Sequence, residues 1–290
     1  MNYTKPKVIS EIGCNHMGQL NVAKELILMS KNCGADIVKF QKRTNNILLT
    51  HEQYNTAHQN PHNSYGSTYG QHREFLEFSV EQHHELKNYA ESIGINYSSS
   101  VWDIQSAKEI ISLNPDFIKV PSACNNNIKL LTELRDNYSG EVQVSLGMTT
   151  MDEEESVIKI FEETNQSKKR LILYSCTSGY PVPFEDICLL EITRLYNNYE
   201  NRVKGIGFSG HHLGIAVDIA AYTLGAKYIE RHFTKDRTLK GTDHAASLEP
   251  TGLQKLVRDL NHTYTALRCK KSEILEIEYE QRKKLKSRNV

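Results

Sequence analysis

The sequence predicts one (β/α)8 barrel, and two observations carry that prediction. Short β-rich runs alternate with amphipathic helical stretches along almost the whole chain, which is the pattern of parallel βαβ units. Eight such units can be counted in 290 residues. A closed barrel of roughly 250 residues fits that count better than an open doubly wound sheet. The expected strands are 7–13, 36–41, 95–99, 116–121, 141–146, 170–176, 203–208 and 226–230. The expected helices are 20–33, 80–93, 104–113, 128–137, 152–163, 186–199, 214–224 and 251–267.

Local punctuation agrees with these elements. Ser79 with Gln82, and Asp152 with Glu155, have capping-box spacing. Gly34 and Gly94 stand where helices should stop. Residues 42–78 are rich in Asn, His, Gly and Tyr, and so long an irregular connection is usually a lid or binding loop. The domain reading is a barrel over 1–270 followed by a charged helix and tail over 271–290.

Composition narrows the function. Lys plus Arg and Asp plus Glu each total 35, so the formal net charge is zero. A balanced chain has no global field to hold a polyanion, and nucleic acid is not an expected partner. No apolar run approaches the ~18 residues of a membrane helix, and residues 1–7 do not read as a signal peptide. Six scattered cysteines without a CxxC pair suit reduced thiols in a cytoplasmic protein.

The expected chemistry lies at the strand ends, since the carboxyl ends of all barrel strands face one mouth. Those ends carry Glu11, Asn15 and His16; Lys39, Gln41 and Lys42; Ser98–Ser100 and Asp103; Lys119, Ser122 and Asn125; Ser145; Thr177 and Tyr180; Ser209, His211 and His212; and Glu230, Arg231 and His232. A packed core has no need of so many polar ends. Lys39 and Lys119 each sit inside an apolar strand, where an ammonium needs an anion. A structural ion pair is one answer. Two lysines in matching positions, near Ser122, Ser145 and Ser209, favour a bound phosphate or carboxylate. His211 and His232 end neighbouring strands ~4.8 Å apart, so their imidazoles can share one divalent ion, with carboxylates available at Glu11, Glu230 and Asp243. Mn2+, Mg2+, Co2+ and Zn2+ all suit such donors. Residues 205–210 are glycine-rich but do not form a dinucleotide fingerprint, because no helix starts at the required place.

Glu11-Ile-Gly-Cys-Asn-His-Met-Gly18, Val38-Lys-Phe-Gln41, Lys119-Val-Pro-Ser122, Ser145-Leu-Gly-Met148, Tyr180-Pro-Val-Pro183, Phe208-Ser-Gly-His211, Glu230-Arg-His-Phe-Thr234 and Gly241-Thr-Asp-His244 occur in that order. Together they resemble the N-acetylneuraminate (sialic acid) synthase family, from residue 8 to about 268. The resemblance implies a phosphoenolpyruvate-dependent condensing synthase that joins the donor to an aldose such as N-acetylmannosamine and releases phosphate. It implies His211 and His232 as metal ligands and catalytic groups, and Glu11 as the carboxylate at the reacting centre. Lys39, Ser100, Lys119, Ser122, Ser145 and Ser209 would bind phosphoenolpyruvate, while Gln41, Tyr180 and Asp243 would hold the sugar. A homodimer is the assembly implied. A related 3-deoxy-ulosonate synthase with another aldose, and a non-catalytic binding barrel, are the competing readings.

The chain also departs from the family pattern. Ser-Asp-His-Thr after strand seven becomes Ser209-Gly-His-His212, which removes a carboxylate beside His211 and offers His212 in its place. Ser-Thr-Pro-Phe becomes Ser99-Ser-Val-Trp102, and Cys124 stands where Glu is common. Typical bacterial members carry a C-terminal antifreeze-like domain whose arginine contacts the sugar, and nothing in the chain matches it. Acceptor recognition is therefore expected to fall to the 42–78 loop or to another polypeptide.

Overall fold

A computed structural model describes residues 3–286. Its eight parallel strands are β1 (Lys7–Gly13), β2 (Ile37–Lys42), β3 (Asn96–Val101), β4 (Phe117–Val120), β5 (Glu141–Ser145), β6 (Leu171–Cys176), β7 (Gly205–Gly210) and β8 (Tyr228–His232). Each pairs with its neighbour in sequence, and β1 pairs with β8, so the sheet closes. Every expected strand is present, with ends within two residues of expectation. The enclosing helices are α1 (Leu20–Asn32), α2 (Val80–Ser92), α3 (Ile104–Leu113), α4 (Ile128–Asn137), α5 (Met151–Glu162), α6 (Leu190–Tyr199), α7 (Ala216–Thr223) and α8 (Pro250–Ala266). Their apolar stripes cover the outward side chains of the strands. Leu26 and Ile27 of α1, Leu130 and Leu134 of α4, and Leu253 and Leu256 of α8 are buried against Val8, Ile118, Val144 and Ile229.

Period-two alternation decides which strand residues enter the barrel. Ile9, Ile37, Phe117, Ile172 and Tyr174 form a separate inner cluster at its base. Two positions further along the same strands are Glu11, Lys39, Lys119 and Cys176. One alternation therefore places an apolar plug at the bottom and ionisable groups at the top.

The structure corrects three expectations. The capping box of α5 is made by Thr150 and Glu153, not Asp152 and Glu155. Glu155 instead pairs with Arg202 at 2.7 Å. Residues 42–78 are also more ordered than their composition suggests, with helical segments Asn45–Leu48, His51–Asn55 and Tyr69–Leu76. Finally, Asp103 caps α3 through Ser106 N (2.8 Å) and accepts from Thr44 N (2.8 Å), which ties the start of this lid to the end of β3. Beyond α8 lies an exposed helix, Tyr279–Lys286, while residues 287–290 of the expected tail fall outside the described residues. Among the described residues no helix is long and apolar enough to cross a membrane.

Candidate active site

The strand registers assemble the site. Glu11 of β1 is paired in register with Lys39 of β2 and with His232 of β8. Ser100 of β3 lies beside Gln41 of β2 and Lys119 of β4. Ser209 of β7 lies between Cys176 of β6 and Glu230 of β8. A cavity of about 310 Å3 opens at this end of the barrel. Its walls bring together Glu11, Lys39, Gln41, Ser100, Lys119, Ser122, Ser145, Tyr180, Ser209, His211 and His232, eleven of the twelve site residues expected from sequence. Asp243 is the exception. It stands in the loop after β8, accepts from Thr242 Oγ1 at 3.0 Å, and does not line this cavity.

A chain of buried ion pairs crosses the cavity floor. Lys39 Nζ is 2.5 Å from Glu11 Oε2 and 3.8 Å from Glu230 Oε2, and it donates to Ser100 Oγ at 2.6 Å. Lys119 Nζ donates to Glu230 Oε1 at 2.6 Å and lies 4.2 Å above the Tyr174 ring. All four charged side chains are buried. The lysines thus take their counter-charge from two carboxylates of the chain, the structural ion pair that was the alternative to a bound anion, and Ser209 donates to Glu230 as well (3.1 Å). Burial alone would raise Glu230, but Lys119 and Lys39 outweigh it and hold the carboxyl down to about 2. Glu11 goes the other way: burial raises it and Lys39 only partly offsets that. Burial also pushes the Lys119 ammonium down, against the pull of Glu230. Two carboxyl groups in one cavity therefore differ in proton affinity, the arrangement that separates a fixed anion from a proton-exchanging group.

The two imidazoles stand on the other side, with ring centroids 5.5 Å apart. His211 Nδ1 lies 3.0 Å from the Thr177 carbonyl oxygen. A proton on Nδ1 donated to that carbonyl leaves Nε2 with a free lone pair and fixes the ring in the orientation a ligating histidine needs. Burial, helped by the His232 ring, lowers His211 to about 3 and keeps it neutral. His232 Nδ1 is buried without a hydrogen-bond partner. Among the described residues no group of three or more His, Cys, Asp and Glu side chains forms a ready metal cage. The donor set is two imidazoles, which suits a cation that draws its remaining ligands from water and substrate.

Several polar strand ends prove to be braces. Asn15 donates to Phe233 O (2.9 Å) and Ser247 Oγ (2.9 Å), and His16 stacks on Phe78 at 4.0 Å. Asn125 donates to Ser145 O at 2.8 Å. Lys42 points outward to Glu77 and Glu109, both at 3.4 Å. His212 does not reach the site either. Its fully buried ring lies outside the barrel, 3.1 Å from Arg231 Nη1 and 3.4 Å from Asp218 Oδ2. A Cβ on Gly210 would come within 2.8 Å of that ring, so the missing carboxylate and the extra histidine are one packing change. On β1, Gly13 has φ +55°, and a Cβ there would meet Gln41 Nε2 at 3.1 Å and Glu11 Oε1 at 3.2 Å. Only glycine takes that turn cheaply beside the catalytic cavity.

Sequence reasoning missed four contributors. Tyr174 floors the site and donates to Gln143 Oε1 at 2.7 Å, and a Cβ on the facing Gly207 would meet its ring at 2.7 Å. Glu230 was noted as a metal carboxylate and not as the lysines' partner. Arg43 stacks on Trp102 at 3.7 Å and donates to Gln41 Oε1 at 2.6 Å, fixing the amide whose Nε2 donates to Glu11 Oε1 (3.0 Å). The inward parity of β6 and β7 pointed to Tyr174. Nothing local pointed to the Arg43–Trp102 stack.

Comparison with known proteins gives a consistent set of matches. The NeuB family profile matches residues 26–272. The N-acetylneuraminate-9-phosphate synthase of Homo sapiens is 40% identical, over 93% of this chain and 74% of its own length. The N,N'-diacetyllegionaminic acid synthase of Legionella pneumophila is 34% identical, over 90% of this chain and 72% of its own. The crystal structure of an N-acetylneuraminic acid synthetase from Leptospira borgpetersenii, in complex with citrate, superposes with a TM-score of 0.81. It is 28% identical and covers 98% of this chain and 93% of that one.

Proposed function

The chain belongs to the NeuB family, and from that premise we propose how its barrel mouth joins phosphoenolpyruvate to an aldose to form a sialic-acid-type sugar acid. The enzyme is a transferase that makes a carbon–carbon bond and releases phosphate. One observation carries the assignment of roles: two buried lysines, two carboxylates and two imidazoles share a single cavity of about 310 Å3.

Lys39 and Lys119 hold the phosphate and carboxylate of the donor, exchanging part of their contact with Glu11 and Glu230 for the ligand's charges. Ser100, Ser122, Ser145 and Ser209 supply hydroxyls around it, and Ser122 Oγ is itself fixed by Gly147 N at 3.0 Å. Gln41 and Tyr180 face the acceptor, while Asp243 stands back in the loop after β8. His211 and His232 would hold a divalent cation, Mn2+ or Mg2+ in the first instance, with Co2+ or Zn2+ also suited. When bound, that cation supplies Lewis-acid polarisation of the aldehyde oxygen.

The donor's methylene carbon forms the new bond to the aldehyde carbon, whose oxygen takes up a proton. The second donor carbon is left electron-deficient, and water adds to it. Glu11 takes the water's proton. The hydroxyl left on that carbon closes to the new carbonyl as the carbon–oxygen bond to phosphate breaks; its proton passes to the departing phosphate, which keeps the electron pair of the broken bond beside Lys39 and Lys119. Holding donor and acceptor in register supplies much of the rate gain.

Family membership also makes a homodimer the expected assembly, and the six free cysteines suit a reducing cytoplasm. The human relative is named for a phosphorylated product and the Legionella relative is not. The reading is tested by incubating the protein with Mn2+, phosphoenolpyruvate and a panel of aldoses while following phosphate release and product mass. A nine-carbon acid from a hexosamine is expected. Turnover with a pentose or pentose phosphate alone would reassign the enzyme to another ulosonate.

A further inference from the structure

We propose that a second cavity, under the 42–78 lid, receives the far end of the acceptor and selects an uncharged hydroxyl tail over a phosphorylated one. The inference rests on the condensing function above and names its substrate class.

This cavity measures about 690 Å3 and shares Tyr180 with the catalytic cavity, so the two adjoin at one side chain. The tyrosine ring lies 4.3 Å from the His211 ring and 6.0 Å from the His232 ring. An aldehyde placed at those imidazoles would therefore direct the rest of an extended sugar past Tyr180 into the lid.

The lining there is almost wholly neutral. Gln53, Gln59, Asn60 and Asn63 offer amides, Thr56, Tyr69 and Thr242 offer hydroxyls, and no Lys, Arg, Asp or Glu lines the wall; its one imidazole, His58, is held at Nδ1 by the backbone of Asn60 (2.7 Å to O, 3.0 Å to N). Amides and hydroxyls both donate and accept, which matches sugar hydroxyls. A phosphate dianion needs charge-assisted donors, and desolvating it without them is costly.

The nearest charges do not change that balance. Lys240 Nζ lies 4.9 Å over the Tyr65 ring, on an exposed residue that does not line the cavity. Asp243, behind the wall residue Thr242, adds its negative field to burial in raising the phenols of Tyr69 and Tyr180. A carboxylate at that point repels phosphate.

The wall is also held in place. Tyr65 OH donates to Lys240 O, and Gly241 N donates to Asn63 Oδ1 (3.4 Å), so the lid is fastened across the mouth to the loop after β8.

The experiment compares kcat/KM for N-acetylmannosamine and its 6-phosphate, with Mn2+ and saturating phosphoenolpyruvate, in the wild type, Gln59→Lys and Lys240→Ala. Calorimetric binding of the two reduced, unreactive alditols to the same proteins runs in parallel. The proposal expects the free sugar to be favoured by about tenfold or more. It expects Gln59→Lys to narrow or reverse that ratio and Lys240→Ala to leave it in place. Preference for the 6-phosphate, or loss of discrimination in Lys240→Ala, would overturn it. If neither sugar turns over, the condensing reading fails, while the alditol affinities still decide whether the lid cavity selects against phosphate.

Discussion

Lys119→Met separates the two explanations for a buried lysine at the barrel mouth, structural ion pair and anion binder. Lys119 Nζ sits 2.6 Å from Glu230 Oε1, and both residues are nearly inaccessible, at 3% and 4% exposure. Removing one partner of a buried pair costs ~3–5 kcal/mol. The lower end applies here, because Lys39 still faces Glu230 at 3.8 Å. Donor binding should suffer separately. A hydrogen bond to a charged group is worth ~1.5–3 kcal/mol, so the dissociation constant of phosphoenolpyruvate should rise ~10–150-fold.

The double variant Lys119→Met/Glu230→Gln removes the stranded carboxylate together with the ammonium. It should regain most of the stability but only part of the affinity, since one phosphate-facing cation is still missing. Thermal unfolding and calorimetric titration with phosphoenolpyruvate read the two effects independently. An unchanged dissociation constant in the single variant would refute the reasoning. So would full wild-type affinity in the double variant, because Lys119 would then serve only to neutralise Glu230.

Other outcomes follow from the same geometry. His232→Ala, which removes an imidazole 5.5 Å from His211, should abolish stoichiometric Mn2+ in metal analysis of dialysed protein while leaving the far-ultraviolet circular dichroism unchanged. Gly210→Asp should destabilise the fold by ~1–3 kcal/mol through overpacking, because a Cβ there meets both His212 and Phe208 at 2.8 Å. Adding His212→Thr should relieve that cost in chemical denaturation. Burial holds His83 neutral, lowering it to about 3. Below its ordinary value of 6.5 the unfolded chain therefore gains a proton that the native chain does not, and stability falls as pH falls from there toward 3. In His83→Phe the slope of stability against pH between 6 and 4 should flatten by ~1.4 kcal/mol per pH unit.

The barrel was legible because it depends on patterns that span many residues. Val38-Lys-Phe-Gln41 and Phe117-Ile-Lys-Val120 each read as a strand, while the face on which each lysine lies, inward to the mouth, came from the structure. The same parity puts Glu11, Ser209, His211 and His232 into one cavity. What the sequence could not show depends on side chains meeting across the barrel. Glu230 neutralises Lys119 from a strand 111 residues away. His212 looked like a substitute for a lost carboxylate, yet its ring fills the space that Gly210 leaves open. Lid order was also hidden, because Thr50 and Thr68 cap short helices inside a segment whose composition reads as irregular.

The central claim is spatial and can be tested in one measurement: the anomalous difference map of a crystal soaked with Mn2+ and phosphoenolpyruvate. A single strong peak is expected within coordinating distance of His211 Nε2 and the His232 ring, with the donor phosphate in contact with Lys39 or Lys119. A manganese peak elsewhere, or a donor bound away from both ammonium groups, would contradict it.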